Sequence, residues 1–242
     1  MKVVGIIPAR YESSRFPGKP LIDLKGKTMI QRVFEGVRKS SLFSEVIVAT
    51  DDLRIVDEVN RFGGKVVMTA KSHSTGTDRC GELAKILDAD VIINIQGDEP
   101  LVDFRQLDLL SKAFKNKEVK IATLAIKGVS SEEMINPNRI KIVLDSENKA
   151  MYFSRSAVPN MDRASSEVKK TFDLYRHIGV YAYRKETLLE LIKLEKTPLE
   201  QAESLEQLRW MYYGHPIHVI ETTIETPNID VPEDVEKVLA QL

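Results

Sequence analysis

The chain has 242 residues, with 35 Lys plus Arg against 36 Asp plus Glu, a formal charge of −1, 43% hydrophobic residues and 29% charged ones. That length suits one large domain or two small ones with a substantial core. The balanced charge excludes a global pull towards nucleic acid or an anionic membrane. No apolar run approaches the roughly 18 residues of a membrane span, and the opening run is too short for a signal peptide. Cys80 is the single cysteine, so an internal disulfide framework is excluded and a reducing compartment fits.

Residues 2–7 form a short apolar run rich in β-branched side chains, expected to be a doubly buried strand that Pro8 ends. A polar loop fills residues 9–27. Met29, Ile30, Val33, Phe34 and Val37 then share one helical face. Residues 45–50 read as a second buried strand. Ile55, Val56, Val59 and Phe62 mark a short helix, with Gly63-Gly64 suited to its C-terminal cap. Strands are expected at 65–68 and 90–95, a helix along Phe104, Leu107, Leu110 and Phe114, and a further strand at 119–126. This alternation implies βαβ units and a mostly parallel sheet covered on both faces.

The second half is less regular. Residues 139–144 and 177–183 look like strands, 205–213 like a helix, and Val235, Val238, Leu239 and Leu242 form a last helical stripe. One domain over 1–242 is expected, with a core of about 1–127 and 214–242 and an elaboration over 128–213, a cap or an oligomer contact. Trp210 reads as a core residue.

Ligands in open α/β sheets bind beyond the C-terminal ends of the strands, so the loops after the strands are the places to search. The first, from Pro8 to Pro20, carries Arg10, Arg15, Lys19 and Gly18. Three cations and exposed N–H groups there suit a polyphosphate; a solvated basic loop is the alternative. It is not a P-loop, because Leu21 stands where Gly26-Lys27-Thr28 would require a glycine. No Gly-x-Gly-x-x-Gly is present, which counts against a dinucleotide.

The second loop, His73-Ser74-Thr75-Gly76-Thr77-Asp78-Arg79, has small residues that let backbone approach a flat ligand. It equally suits a turn into a helix capped by Thr77. The third, Gln96-Gly97-Asp98-Glu99-Pro100, places a carboxylate at a strand end, a natural magnesium ligand. Asp98 is the candidate there, ahead of Glu99. Asp230 is either a second ligand or the N-cap of the last helix, with Pro232 in its first turn. Arg155, His177, Tyr183, Glu206 and Gln207 show no metal-site spacing, and the four histidines (His73, His177, His215 and His218) are scattered.

Together these motifs resemble the cytidylyltransferases that activate acidic sugars, in the branch acting on 3-deoxy-D-manno-octulosonate (Kdo). Besides Pro8-Ala9-Arg10-x-x-Ser13-x-Arg15-x-Pro17-Gly18-Lys19 and the next two loops, the resemblance rests on Tyr152-Phe153-Ser154-Arg155 and His177-Ile178-Gly179-x-Tyr181. It extends to Leu205-Glu206-Gln207-Leu208-Arg209 and Asp230-x-Pro232-Glu233-Asp234. Seven motifs in order cover nearly the whole chain. Thr75 departs from the serine common in the family but keeps the hydroxyl, and no motif matches residues 161–171.

The resemblance implies a three-layer, Rossmann-like nucleotidyltransferase fold with a smaller cap or dimerisation elaboration. It implies CTP and Kdo as substrates, CMP-Kdo and pyrophosphate as products, and a place in lipopolysaccharide biosynthesis. Arg10, Lys19 and Asp98 would be catalytic. Ala9, Arg10, Arg15, Lys19, Ser74, Arg79 and Gln96 would bind nucleotide, and backbone carbonyls of the second loop would select cytosine's exocyclic amine over uracil's carbonyl. Gln96, Arg155, His177, Tyr181, Glu206 and Gln207 would bind sugar, and Asp98 and Asp230 would hold Mg2+. A cytoplasmic homodimer, without nucleic acid or membrane insertion, is expected. The alternatives are a cytidylyltransferase for another acidic sugar such as sialic acid, or a non-catalytic nucleotide sensor. The sensor needs neither the two carboxylates nor the three loop cations.

Overall fold

A computed structural model of the chain describes residues 1–12, 16–229 and 231–242. Its strands are β1 (Val3–Ala9), β2 (Phe43–Thr50), β3 (Val66–Met68), β4 (Val91–Asn94), β5 (Ile121–Lys127), β6 (Lys141–Leu144), β7 (Ala150–Ser154), β8 (Tyr175–Arg184) and β9 (His218–Glu221). Its helices are α1 (Met29–Arg38), α2 (Leu53–Arg61), α3 (Gly76–Ala84), α4 (Phe104–Ala113), α5 (Ser131–Ile135), α6 (Ser166–Thr171), α7 (Lys185–Leu191), α8 (Pro198–Glu203), α9 (Gln207–Tyr212) and α10 (Asp234–Leu239).

The main sheet runs β3-β2-β1-β4-β8-β5-β9, with β6 paired to β8 and β7 to β6. β1, β2, β3 and β4 are parallel, as the alternation implied, and β5 pairs in parallel with β9. β8 enters antiparallel between β4 and β5.

Strand period sorts the side chains into two cores. Val3, Ile7 and Ala9 of β1 join Ile30, Val33 and Val37 of α1, Ile55 and Val59 of α2, and Leu107 and Leu110 of α4. Val4 and Ile6 face the other way, onto Cys80 and Leu83 of α3, Leu188 of α7, and Leu208 and Trp210 of α9. Each fully buried aliphatic chain contributes about 1.5–3 kcal/mol, so this two-sided burial sets strand register. Gly63, at φ +74°, follows α2 as the expected cap. A small cluster of Leu24, Met29, Ile229 and Val238 ties the C-terminal segment to the loop before α1.

Several expectations change. β1 continues through Pro8, because its pairing with β4 stops at Ile6 and only the β2 side is paired beyond it; a residue without an N–H is tolerated there. The stretch expected as an elaboration contains β8, which sits within the main sheet. β7 and β9 also appear where no strand was expected. Trp210, by contrast, is the core residue expected, 1% exposed. The last helix starts at Asp234 with Glu233 in its N-cap position; Asp230 lies outside the described residues. Thr28 caps α1 and Lys27 pairs with Glu35 at 2.6 Å, so the Gly26-Lys27-Thr28 run serves the helix start.

Candidate active site

A cleft with about 730 Å³ of empty space opens at the C-terminal ends of β1 and β4. Its walls come from Pro8, Ala9 and Arg10, from Thr75, Gly76 and Arg79 of the α3 start, and from Gln96, Gly97 and Asp98. Two glycines let these loops close on the end of β1. A Cβ at Gly97 would lie 2.9 Å from the Pro8 carbonyl oxygen, and one at Gly76 would lie 3.0 Å from Pro8 Cγ.

Lys19 also lines the cleft. Gly18 adopts φ +73°, its N–H bonds the Tyr11 carbonyl at 2.8 Å, and a short 3₁₀ turn begins at Lys19. Only a glycine enters that left-handed turn readily, and the turn drives the lysine inward. Lys19 Nζ lies 2.8 Å from Asp98 Oδ2 and 2.8 Å from the Ile229 carbonyl oxygen. The Ile229 N–H in turn donates to the Asp98 carbonyl at 3.0 Å. A carboxylate and a carbonyl oxygen therefore converge on one cation position, which the lysine ammonium fills. Hard oxygen donors of this kind suit magnesium.

Arg10 is exposed at the cleft rim. Arg79 is 1% exposed; its guanidinium bonds Thr69 Oγ1 and pairs with Asp51 at 3.1 Å. It stiffens the cleft wall that it helps to line. Gln96 lines the cleft, with Nε2 3.4 Å from Asn94 Oδ1. Ser74 is exposed and bonds Asp78 at 3.2 Å, apart from the lining residues. Glu99 is buried, and burial together with the Asp98 charge pushes its carboxyl up to about 8. Arg15 and Asp230 lie outside the described residues, and among the described residues no three metal-ligating side chains gather.

The second loop does open a helix, but Thr75 is its cap. Thr75 Oγ1 accepts from the Asp78 N–H at 3.1 Å, and the Asp78 carboxylate accepts from the Thr75 N–H at 3.2 Å. This reciprocal pair satisfies two end groups at once. Thr77 instead donates to Glu206 Oε2 at 2.8 Å, joining α3 to α9 across 129 residues of sequence.

Beside the cleft lies a second, buried polar group. β8 places Tyr181 opposite Asn94 of β4 and Thr123 of β5. The β5 ladder then skips Gly179 and Val180, a bulge of the kind found near active sites. Thr123 Oγ1 fills the gap, donating to the Val180 carbonyl at 2.8 Å and lying 2.9 Å from His177 Nε2. His177 and Tyr181 stand 5.2 Å apart between ring centroids, and Tyr181 packs edge-on against Trp210 at 5.0 Å. Burial pushes the His177 imidazole down to about 3, so it is neutral. Burial pushes Glu206 up and the phenols of Tyr181 and Tyr183 well up. The indole N–H of Trp210 is buried without a hydrogen-bond partner among the described residues, and the buried hydroxyls of Tyr181 and Tyr183 have only Thr123 and Thr77 beside them.

Gln207 is buried at the start of α9. Arg155 donates to the carbonyls of Glu203 at 2.7 Å, Pro137 at 2.9 Å and Ser204 at 3.3 Å. His177, Tyr181, Glu206, Gln207 and Arg155 are all absent from the cleft lining itself. Sequence reading gave Thr77 to a helix cap and Trp210 to the core and named Tyr183 without a role, so none of the three was assigned to this group. The Thr75-x-x-Asp78 pattern was the available sign that Thr77 is free of capping.

Residues 4–223 match the model of a family described as cytidylyltransferase. A 3-deoxy-manno-octulosonate cytidylyltransferase of Parabacteroides distasonis is 49% identical, covering 100% of this chain and 98% of its own. One from Geobacter metallireducens is 44% identical with the same coverage of both chains. A solved structure of CMP:2-keto-3-deoxy-manno-octonic acid synthetase complexed with CTP is 41% identical, with a TM-score of 0.93 over 100% of this chain and 98% of that one.

Proposed function

The chain belongs to the cytidylyltransferase family, and on that premise we propose that it transfers the CMP moiety of CTP to the anomeric hydroxyl of Kdo. The full-length likeness to a relative solved with CTP carries this reading. The C2 hydroxyl oxygen of the sugar attacks the α-phosphorus in line. A C2–O–P bond forms while the bond from the α-phosphorus to the oxygen bridging to the β-phosphate breaks. Pyrophosphate leaves with that oxygen, and the hydroxyl proton passes to solvent.

In this reading Arg10, Arg15 and Lys19 hold the triphosphate and offset the charge gathering on pyrophosphate. Asp98 and Asp230 would hold Mg2+, which when bound polarises the α-phosphate; the oxygen-lined position at Asp98 and Ile229 supports the part of that assignment that falls on Asp98. Lys19, beside Asp98 in the same cleft, would meet the phosphates there. Ala9, Gln96 and Arg79 shape the nucleotide side, with Ser74 at the loop entrance. Gln96, Arg155, His177, Tyr181, Glu206 and Gln207 receive the sugar. Arg155 keeps donors for the sugar carboxylate, since a guanidinium has five N–H groups and its side chain makes three main-chain bonds.

The same reading places the product in lipopolysaccharide synthesis and the enzyme, as a homodimer, in the cytoplasm. Among the described residues no helix is long and apolar enough to cross a membrane. Pyrophosphate release with CTP and magnesium should require Kdo, with sialic acid and a sugar-free control silent. Release with sialic acid alone would replace the sugar, and silence with both while CTP still binds would favour a nucleotide sensor.

A further inference from the structure

We propose that Thr77 is a positioning residue for the sugar, fixing the Glu206 carboxylate so that the helix bordering the nucleotide cleft also sets the sugar subsite. The proposal rests on the reading that Glu206 accepts a hydrogen bond from a sugar hydroxyl. Thr77 is 3% exposed and directly follows Gly76, which lines the cleft. Its hydroxyl is not needed to start α3, because Thr75 and Asp78 already form the cap. It is directed instead to Glu206 Oε2 at 2.8 Å.

Glu206 is not oriented by its own helix. It stands at the N-cap position of α9 without a side-chain capping bond. Arg209 Nη2 lies 4.0 Å from Glu206 Oε1, while its guanidinium grips Glu200 at 2.5 and 2.7 Å. The Thr77 hydroxyl at 2.8 Å, with the Thr75 hydroxyl beside it, is therefore what orients this carboxylate. A carboxylate has about four acceptor positions, so one bond from Thr77 leaves capacity for a polyhydroxylated ligand. Tyr181, whose buried hydroxyl has only Thr123 beside it, is on the side of the sheet that α9 packs against. A sugar subsite built this way borrows its geometry from the nucleotide side.

Thr77→Val keeps the shape and removes the hydroxyl, Thr77→Ser keeps the hydroxyl, and Thr77→Ala supplies a second hydroxyl-free case. KM for Kdo and for CTP is measured for each, alongside the melting temperature and Glu206→Gln as reference. Losing a hydrogen bond to a charged group costs enough to predict about a tenfold rise in KM for Kdo with Thr77→Val. KM for CTP should stay within about twofold, and Thr77→Ser should restore the Kdo value. An unchanged Kdo KM in Thr77→Val, with Glu206→Gln impaired, overturns the proposal while leaving the role of Glu206 intact. Equal rises for both substrates with a lowered melting temperature overturn it in favour of a structural role. An unaltered Glu206→Gln removes the sugar-side reading of Glu206, and the proposal with it.

Discussion

The two sides of the proposed site are built from opposite materials. The nucleotide side is an open cleft at strand ends, made by loops and edged by Arg10, Lys19 and Asp98. The side proposed for the sugar is drawn from inside regular elements, with His177 and Tyr181 on β8 and Glu206 beside α9, and is aromatic and half-buried to buried. Triphosphate recognition needs concentrated charge that remains accessible until the ligand arrives. Hydroxyl recognition needs acceptors and donors held at fixed angles in a low-dielectric pocket. Chemistry should therefore fail most sharply on the open side, and specificity and stability should move together on the closed one.

The largest break is expected at Asp98. Asp98→Asn keeps the shape but removes the charge from the oxygen-lined position, so turnover should fall by at least the 10²–10³-fold seen for a lost electrostatic stabiliser, at any practical magnesium concentration. The melting temperature should change little, because the side chain is part-exposed at the cleft. Near-normal turnover at saturating substrates would remove Asp98 from the chemistry.

The same division governs what could be read from sequence. Loops on the open side are contiguous, so the cations of residues 8–19 and the Asp98 loop stand out against apolar runs such as Val3 to Ile7. Alternation of Val3 and Val4 between two cores also follows from strand period alone. The closed side depends on β8 entering antiparallel between β4 and β5, a pairing of segments about 50 to 90 residues apart with no local signature. β7 and β9 are short and partly exposed, so their apolar pattern is weak. The Thr77–Glu206 bond could not be read at all, whereas the cap at Thr75 was legible in its spacing to Asp78. Arg155 shows a residue placed by resemblance whose side chain already serves three main-chain carbonyls.

A smaller effect sharpens the closed side. His177 is held neutral down to about pH 3, against an ordinary imidazole value of 6.5. Between those values the unfolded chain binds the extra proton. The stabilisation is therefore complete above 6.5 and is lost as pH falls from 6.5 towards 3. His177→Gln should flatten the fall of unfolding free energy over that range by up to about 1.4 kcal/mol per pH unit. Identical slopes in the two proteins would place the imidazole in contact with water instead.

The most direct test of the divided site is calorimetric CTP binding, in magnesium, to the wild type, Lys19→Met and Glu206→Gln side by side. Loss of a charged hydrogen-bond donor to the triphosphate predicts at least about tenfold weaker binding for Lys19→Met, with Glu206→Gln within about twofold of wild type. Wild-type affinity in Lys19→Met, or an equal loss in Glu206→Gln, would contradict the division of the site into a nucleotide side and a sugar side.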